Sequence, residues 1–365
     1  MNRTEGPAVS VVMVVYNGGR HLRPALESLS AQTFHDFELV VVDDGSTDAT
    51  PEVLAASASV EPRVRVVRHA QNRGLVAARN RAVAEARAPL MAIADADDLF
   101  KPNRLERQVE FMQRNPHIGF CGTAVELIDA DNHRTGTYRP PQRDGDIRFF
   151  SMLGGCFWNT TTMYRTELVR QAGAYQQAFS RGAEDYDLWV RLMRLTQCAN
   201  LPELLACQRI HDSSVTAEIA GTFRNQCIVA RPLIGEYLGH DVSDEQVAHA
   251  LALYLYGWRM TIGAADADDG IAMLSELVAN VAARESRERV TELRRRIAAA
   301  LFQQAMLHLT SNRASSVHLV REARRWDAAA VPPAMLVGYA ARALVPAPVR
   351  TALRAIRHHV QPGVY

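Results

Sequence analysis

The sequence predicts an α/β domain built on a largely parallel sheet, followed by an all-helical region. Between residues 9 and 98, short runs rich in Val and Ile alternate with helix-like stretches, a rhythm typical of βαβ units. Acidic residues stand directly after two of these runs. After residue 211 the chain becomes Ala-rich, with apolar residues at helical spacing. We therefore predict two domains, residues 1–215 and 216–365.

The first domain contains four predicted strands, at residues 9–15, 37–42, 64–67 and 89–93. Between the first two, Leu22, Leu26 and Leu29 repeat at i, i+4 and i+7, which predicts one buried helical stripe. A second amphipathic helix is predicted over residues 75–86.

The rest of the chain follows less regular patterns. Residues 99–113 form a predicted helix with Asp98 as its cap. Residues 120–210 combine short strands with a helix over 184–195. In the second domain, helical periodicity covers residues 228–238, 244–260, 270–283 and 288–309.

The composition argues against several classes of protein. The 365 residues include 41 basic and 40 acidic side chains, so the net charge of +1 gives no general electrostatic case for nucleic-acid binding. Five cysteines without a Cys-x-x-Cys pair argue against a disulfide framework and a structural zinc site. The first apolar run has the length of a strand rather than of a signal sequence, which predicts a cytoplasmic protein.

The C-terminal tail raises the question of membrane contact. No stretch reaches the roughly 18 uninterrupted apolar residues of a spanning helix. Residues 341–357, however, mix Leu and Val with Arg342, Arg350, Arg354 and Arg357. Two interpretations fit this pattern: an interfacial helix on anionic lipid, or a solvated terminal helix.

Two acidic clusters follow predicted strands. Asp43 and Asp44 follow the second strand, and Asp95 and Asp97 stand at the end of the fourth. Because the carboxyl ends of parallel strands meet at one edge of a sheet, both clusters can line one crevice if their strands lie close together. Carboxylates at Asp-x-Asp spacing suit a hard divalent metal that holds a diphosphate, although such acids also cap helices.

Five segments of the chain resemble the inverting family 2 glycosyltransferases. They are V-S-V-V-M-V-V-Y-N at 9–17, F-E-L-V-V-V-D-D-G-S-T-D at 37–48, N-R-G-L-V-A-A-R-N at 72–80, D-A-D-D at 95–98 and E-D-Y-D-L-W at 184–189. Five ordered motifs are far more specific than any single one. The resemblance covers roughly residues 8–215. It implies the GT-A fold, in which a Rossmann-like nucleotide-binding half joins a mixed-sheet acceptor half.

The resemblance implies a binding site for the nucleotide base. It assigns Val14, Tyr16 and Asp44 to the base, with Asp43 in support. A carboxylate suits the ring N–H of uracil or thymine because it only accepts hydrogen bonds. The alternative is an Asp-Asp-Gly turn that holds no ligand.

The resemblance also implies contacts to the diphosphate and the metal. Arg73 and Arg79 are candidates for the diphosphate because a guanidinium matches phosphate oxygens, although Arg73 also fits a plain turn into a helix. Asp95 would approach the ribose or the metal, and Asp97 would coordinate Mn²⁺ or Mg²⁺. His211 is either a further metal ligand, a diphosphate contact or an ordinary histidine.

On the acceptor side, the resemblance assigns the catalytic base to Asp185, the second acid of the Glu184-Asp185 pair. Asp185 would deprotonate the acceptor hydroxyl as it attacks the anomeric carbon opposite the diphosphate. Glu184 would orient the acceptor. Trp158 is a candidate platform for an acceptor sugar, or alternatively a core residue. Trp189, in the same helix as Asp185, is predicted to be a core residue rather than a sugar platform.

Together these residues predict a cytoplasmic, metal-dependent inverting glycosyltransferase. Its substrates would be a UDP-sugar, or less readily a dTDP-sugar, and a hydroxyl of a saccharide or lipid-linked acceptor, in the synthesis of surface polysaccharide or glycoconjugate. Peripheral contact with the inner face of the membrane through the C-terminal helices and self-association into a homo-oligomer are left open.

Three rival functions use related folds. A sugar-1-phosphate nucleotidyltransferase normally begins with a G-x-G-x-R loop, whereas residues 16–19 are Y-N-G-G. A non-catalytic subunit that binds nucleotide sugars or recruits partners is disfavoured by the presence of Asp95, Asp97 and Asp185. A dinucleotide-dependent dehydrogenase is set aside, since no G-x-G-x-x-G follows the first strand.

Overall fold

The computed structural model describes residues 6–210, 219–254, 263–284, 287–309 and 312–344. The chain divides into two compact units. The first holds the described residues up to Asn225 except Met152–Gly154, and the second holds those three and the described residues from Gln226 onward. The boundary predicted near Val215 lies outside the described residues and stays a prediction.

In the described part of the first unit, nine strands form one mixed sheet. They are β1 (Val9–Val15), β2 (Phe37–Asp43), β3 (Val64–Arg68), β4 (Leu90–Asp95), β5 (Leu99–Phe100), β6 (Ile118–Ile128), β7 (Arg134–Tyr138), β8 (Met163–Arg165) and β9 (Gln197–Arg209). Their order is β3-β2-β1-β4-β8-β6-β9-β5, with β7 paired to β6. The first four strands run parallel, and β1 has β2 on one side and β4 on the other. The acidic ends of β2 and β4 are therefore separated only by β1, as expected.

The helices of the first unit confirm the predicted apolar stripe. They are α1 (Leu22–Ser30), α2 (Thr50–Val60), α3 (Leu75–Glu85), α4 (Arg104–Arg114), α5 (Asp144–Phe150), α6 (Thr166–Gln171) and α7 (Glu184–Met193). Leu22, Leu26 and Leu29 are at most 2% exposed and join the core together with alternate residues of β1. Full burial of each leucine contributes about 1.5–3 kcal/mol, so this stripe fixes α1 against the sheet.

The prediction of one helix over residues 99–113 is wrong at its start. Leu99–Phe100 form the short strand β5, which pairs with the distant β9, and α4 begins only at Arg104. The predicted role of Asp98 as a cap is wrong as well. Asp98 is buried, and its Oδ1 accepts a hydrogen bond from the backbone N–H of Arg209 at 2.8 Å. A pairing across more than a hundred residues leaves no local periodic signal.

The regular elements among the described residues of the second unit are all helices. Its helices are α8 (Ile219–Leu238), which begins in the first unit, α9 (Asp244–Tyr254), α10 (Ala264–Arg284), α11 (Arg287–His308), α12 (Arg313–Trp326) and α13 (Pro333–Leu344). Helical periodicity in the sequence predicts counterparts of α8 to α11 but neither α12 nor α13. In the portion that the structure describes, no helix combines the length and apolar character that a membrane span requires.

Candidate active site

The loops that follow β1 and β2 are hydrogen-bonded to each other. The backbone N–H of Asn17 donates to Ser46 Oγ at 2.9 Å, and the N–H of Thr47 donates to Asn17 Oδ1 at 2.9 Å. Asn17 lies in the left-handed region, with φ at 50°. Tyr16, the predicted base contact, lies beside this junction with 48% of its surface exposed.

Asp44 joins the loop after β2 to the loop before α3. Its Oδ1 accepts from the N–H of Arg73 at 2.9 Å and lies 2.7 Å from His69 Nδ1. Its Oδ2 accepts from the N–H of Gly74 at 2.9 Å. A carboxylate has about four lone-pair sites, so these three contacts still allow one more donor. The predicted contact with a base N–H stays a prediction.

Asp43 and Gly45 shape the same turn. Asp43 is fully buried, accepts from the N–H of Ser46 at 2.9 Å and pairs with Arg68 Nε at 3.1 Å. Gly45 has φ at 74°, and a Cβ there would lie 2.5 Å from the carbonyl carbon of Gln71. Asp43 therefore fixes the turn around Asp44, and its predicted role in nucleotide binding stays a prediction.

Asp95 ends β4 next to Val14 of β1. It accepts from Asn159 Nδ2 at 3.1 Å, and Arg79 Nη2 lies 3.9 Å from its Oδ1. Burial, reinforced by the charge of Asp97, raises the pKa of Asp95 to about 6, although Arg79 and Asn159 oppose this shift. The site thus places carboxylates close enough together to resist simultaneous ionisation.

Val14 and Asp95 also line a cavity of about 30 Å³ together with Arg79 and Tyr175. A cavity of this size holds a water or two but not a nucleotide base. A base in contact with Val14 would therefore lie at the open edge of the sheet.

Arg209 of β9 holds the second half of the Asp-x-Asp segment. Its N–H donates to Asp98 Oδ1, and its Nε donates to the backbone carbonyl of Asp97, both at 2.8 Å. Its Nη atoms donate to the carbonyl of Asp129 at 2.8 Å and to Asn132 Oδ1 at 2.7 Å. Burial and the charges of Asp95 and Asp97 raise the pKa of Asp98 well above its usual range. No local pattern in the sequence predicts this role for Arg209. His211, two residues later, lies outside the described residues.

The acids Glu184 and Asp185 form the first turn of α7. The chain enters this turn through Gly182, with φ at 108°, and through Ala183, which has φ at 67° despite its side chain. Glu184 is 4% exposed and forms an ion pair with Arg79. Its predicted contact with the acceptor stays a prediction.

Asp185 is the more accessible acid of the pair. It is partly buried, and its Oδ1 accepts from the N–H of Tyr186 at 2.7 Å. Burial, followed by the charge of Glu184, raises the pKa of Asp185 to about 7, against the opposing effect of Arg79. A carboxylate with a pKa near neutrality is well matched to proton abstraction.

The two candidate sugar-binding aromatic residues differ in burial. Trp158 is partly buried, and the ring of Tyr138 lies edge-on to it with centroids 5.5 Å apart. Its neighbour Asn159 contacts Asp95, while Trp158 itself packs against the hydrophobic core, so its predicted role as a sugar platform stays a prediction. Trp189 is 3% exposed and its Nε1 donates to the Tyr164 hydroxyl at 2.7 Å, which confirms the prediction that it is a core residue.

Two predicted diphosphate contacts have different environments. The side chain of Arg73 is exposed, and its backbone binds Asp44. The guanidinium of Arg79 is instead enclosed, facing Glu184 and Asp95. The structure therefore brings Asp95, Glu184 and Asp185 together around Arg79. Val14 lies on the neighbouring strand β1, and Asp43 and Asp44 lie at the end of β2.

Comparisons with known proteins agree with this architecture. Residues 10–173 match the family model of glycosyl transferase family 2. The amylovoran biosynthesis glycosyltransferase AmsE of Erwinia amylovora is 33% identical over 201 residues, which cover 54% of this chain and 74% of AmsE.

Two solved structures share the fold. TarS of S. aureus, in complex with UDP-GlcNAc, has a TM-score of 0.53 at 18% identity and covers 87% of this chain and 90% of its own. The mannosyltransferase PcManGT of Pyrobaculum calidifontis, in complex with GDP-Man and Mn²⁺, has a TM-score of 0.51 at 19% identity and covers 90% and 87%. These likenesses confirm the predicted GT-A fold. The match to the family model and the similarity to AmsE over most of its length together establish the family: the chain belongs to glycosyl transferase family 2.

Proposed function

We propose that this glycosyltransferase moves a sugar from a UDP-sugar to a hydroxyl of a saccharide or lipid-linked acceptor, with inversion at the anomeric carbon. One observation carries the proposal. Arg79 lies between Asp95, at the end of a nucleotide-side strand, and Glu184, in the same helical turn as Asp185. A donor-side carboxylate and a proton acceptor are thus held beside one buried cation.

On the donor side, Asp44 would accept from the imide N–H of the base, and Tyr16 and Val14 would pack against the ring. The exposed ring of Tyr16 and the remaining acceptor capacity of Asp44 support this arrangement. TarS, which shares the fold, binds UDP-GlcNAc. The side chain of Arg73, exposed at the same edge, is proposed to contact the diphosphate.

Asp95 and Asp97 are proposed to hold Mn²⁺ or Mg²⁺, with His211 as a further candidate ligand. Carboxylate oxygens are the ligands that these ions prefer. Burial, reinforced by the charge of Asp97, raises the pKa of Asp95, and a divalent cation bound there would compensate this poorly solvated negative charge. No group of three or more ligating side chains is preformed among the residues described. This fits an ion that takes one or two carboxylates and completes its shell with phosphate oxygens and water. The bound ion would stabilise the negative charge of the departing nucleoside diphosphate.

Asp185 is proposed to accept the proton of the acceptor hydroxyl. The oxygen then attacks the anomeric carbon in line with the departing diphosphate, in one displacement. Retention through a covalent sugar would require a second carboxylate acting as nucleophile about 5–5.5 Å from the first. Glu184 is already paired with Arg79, which favours the single step.

The test is a panel of nucleotide sugars assayed for Mn²⁺-dependent binding and for slow donor hydrolysis. We expect binding of a UDP-sugar and release of UDP, and we expect Asp97→Ala to abolish the effect of Mn²⁺ on binding. Asp36→Ala, an exposed acid before β2, is the matched control and should bind like wild type. Binding without hydrolysis or transfer would support a non-catalytic subunit, and release of pyrophosphate from a nucleoside triphosphate would support a nucleotidyltransferase.

AmsE is named for amylovoran biosynthesis, and we propose that this enzyme acts in the synthesis of a surface polysaccharide or glycoconjugate. Work at a cytoplasmic membrane surface fits the tail, where residues 345–365 contain Arg350, Arg354 and Arg357 and no acidic residue. The tail lies outside the described residues. Replacing these three arginines with glutamine should reduce cosedimentation with anionic vesicles, and unchanged cosedimentation would rule out this role of the tail.

A further inference from the structure

Arg79 is a buried cation at the meeting point of three structural elements. Its side chain, on α3, is 12% exposed and forms an ion pair with Glu184 at the start of α7. Its Nη2 lies 3.9 Å from Asp95 Oδ1 at the end of β4. Its guanidinium carbon lies 5.3 Å from the ring centroid of Tyr175. The guanidinium is therefore held by groups of α7, β4 and the segment before α7, and it also lines the small cavity that Val14 and Asp95 border.

The side chain of Asn80, the next residue of α3, binds the backbone of Tyr175. Asn80 Nδ2 donates to the carbonyl of Tyr175 at 2.8 Å, and the N–H of Tyr175 donates to Asn80 Oδ1 at 2.9 Å. This reciprocal pair fixes the segment that leads into Gly182 and Ala183. Consecutive residues of α3 thus hold the approach to α7 and the first acid of α7.

The charge balance makes this arrangement more than a packing contact. Glu184 is a poorly solvated carboxylate, Asp95 is partly buried, and Asp185 lies beside Glu184. Removing one partner from a buried ion pair leaves an uncompensated charge, which the chain relieves by moving it toward water. Without Arg79, the first turn of α7 would therefore lose its fixed position.

We propose that Arg79 is a positioning residue, which holds the first turn of α7 and hence Asp185 at a fixed place relative to the donor-side strand β4. This inference rests on the proposed function, in which Asp185 accepts the proton. It is an alternative to the expectation that Arg79 contacts the diphosphate, which stays a prediction, and it rests on the ion pair of the guanidinium with Glu184 and its position facing Asp95.

The test compares Arg79→Met with Arg79→Lys in the full chain. For each variant, kcat of transfer, the dissociation constant of UDP with Mn²⁺ and the thermal midpoint are measured. Arg65→Met is the matched control. Arg65 is also partly buried and also bridges two acids, Glu38 at 3.4 Å and Glu85, but Glu85 ends α3 at the opposite end of that helix from the site.

In Arg79→Met, kcat is expected to fall by about 10²-fold or more, while the UDP dissociation constant stays within about threefold of wild type. Arg79→Lys keeps the charge and should recover at least about tenfold of the lost turnover. Arg65→Met should lower the thermal midpoint and leave kcat unchanged. If Arg79→Met does not fold, the lysine variant decides, with reduced kcat and unchanged UDP affinity as the supporting result.

Two results would overturn the inference. Loss of UDP affinity in proportion to turnover would make Arg79 a diphosphate ligand, and unchanged turnover would make the ion pair purely structural. Failure of the proposed function is distinguishable from both, because wild type itself would then show neither UDP binding nor transfer.

Discussion

The backbone N–H of Arg209 donates to the buried Oδ1 of Asp98 at 2.8 Å, and this bond links the end of β9 to the Asp-x-Asp segment. The Nε of the same arginine binds the carbonyl of Asp97. These two bonds hold the side chain of Asp98 and the backbone carbonyl of Asp97, the proposed metal ligand. The position of Asp97 therefore depends on a residue more than a hundred positions away.

Asp98→Ala is expected to lower the free energy of unfolding. The substitution leaves the buried N–H of Arg209 without its acceptor, which costs about 1–3 kcal/mol. Urea unfolding measures the difference. Asp98→Asn retains an oxygen that can accept the same bond and should lose less stability. Equal stability of Asp98→Ala and wild type would show that this hydrogen bond does not stabilise the fold.

Asp185→Asn is expected to reduce turnover while preserving donor affinity. General-base catalysis contributes about 10²- to 10⁴-fold, and the amide cannot accept a proton at neutral pH. The measurements are kcat with a competent acceptor and UDP binding by calorimetry. Asp187→Asn is the control. Asp187 lies two residues after Asp185 in the same helix, but it forms an ion pair with Arg191 at 2.7 Å. Wild-type turnover in Asp185→Asn would remove the base assignment.

The activity is expected to fall as the pH falls through about 7. Burial and Glu184 raise the pKa of Asp185 to about 7, and only the ionised carboxylate can accept the acceptor's proton. Below that pH the group is protonated and the fraction of active enzyme decreases about tenfold per pH unit. The profile of kcat between about pH 5 and 9 tests this. An acid limb near pH 4, the range of an unperturbed aspartate, would contradict it.

Gly45→Ala is expected to destabilise the fold and weaken donor binding together. Gly45 has φ at 74°, and an added Cβ would lie 2.5 Å from backbone atoms of Gln71. The left-handed conformation alone costs about 1–3 kcal/mol, and the clash adds to it by displacing the turn around Asp44. Gly19→Ala is the control, because Gly19 also has positive φ, at 52°, but no atom lies within 4 Å of its added Cβ. Similar losses of stability and donor affinity in both variants would mean that the clash of the added Cβ with the backbone of Gln71 is not the cause.

Local patterns were sufficient for the elements that carry the donor side. β1 is a short Val-rich run that is buried on both faces, and α1 buries a leucine stripe at helical spacing, so each leaves a local signal in the sequence. The strand-end position of Asp95 follows from the same reasoning. The resemblance to the family then supplied roles that spacing alone does not give.

The rest of the site depends on partners that are distant in the chain. Arg79 and Glu184 are 105 residues apart, and a guanidinium suits a carboxylate as well as a phosphate, so the sequence could not choose between them. The pairing of β5 with β9, which corrects the predicted helix over residues 99–113, is likewise a contact between remote segments.

The three loops at the carboxyl ends of β1, β2 and β3 share side-chain acceptors: Asn17 and Ser46 join the first two, and Asp44 joins the second to the third. Attempts to exchange nucleotide preference between relatives by transplanting one loop would sever bonds that the recipient's other loops supply. Chimaeras that transfer residues 15–75 as a single cassette should retain solubility where single-loop grafts aggregate.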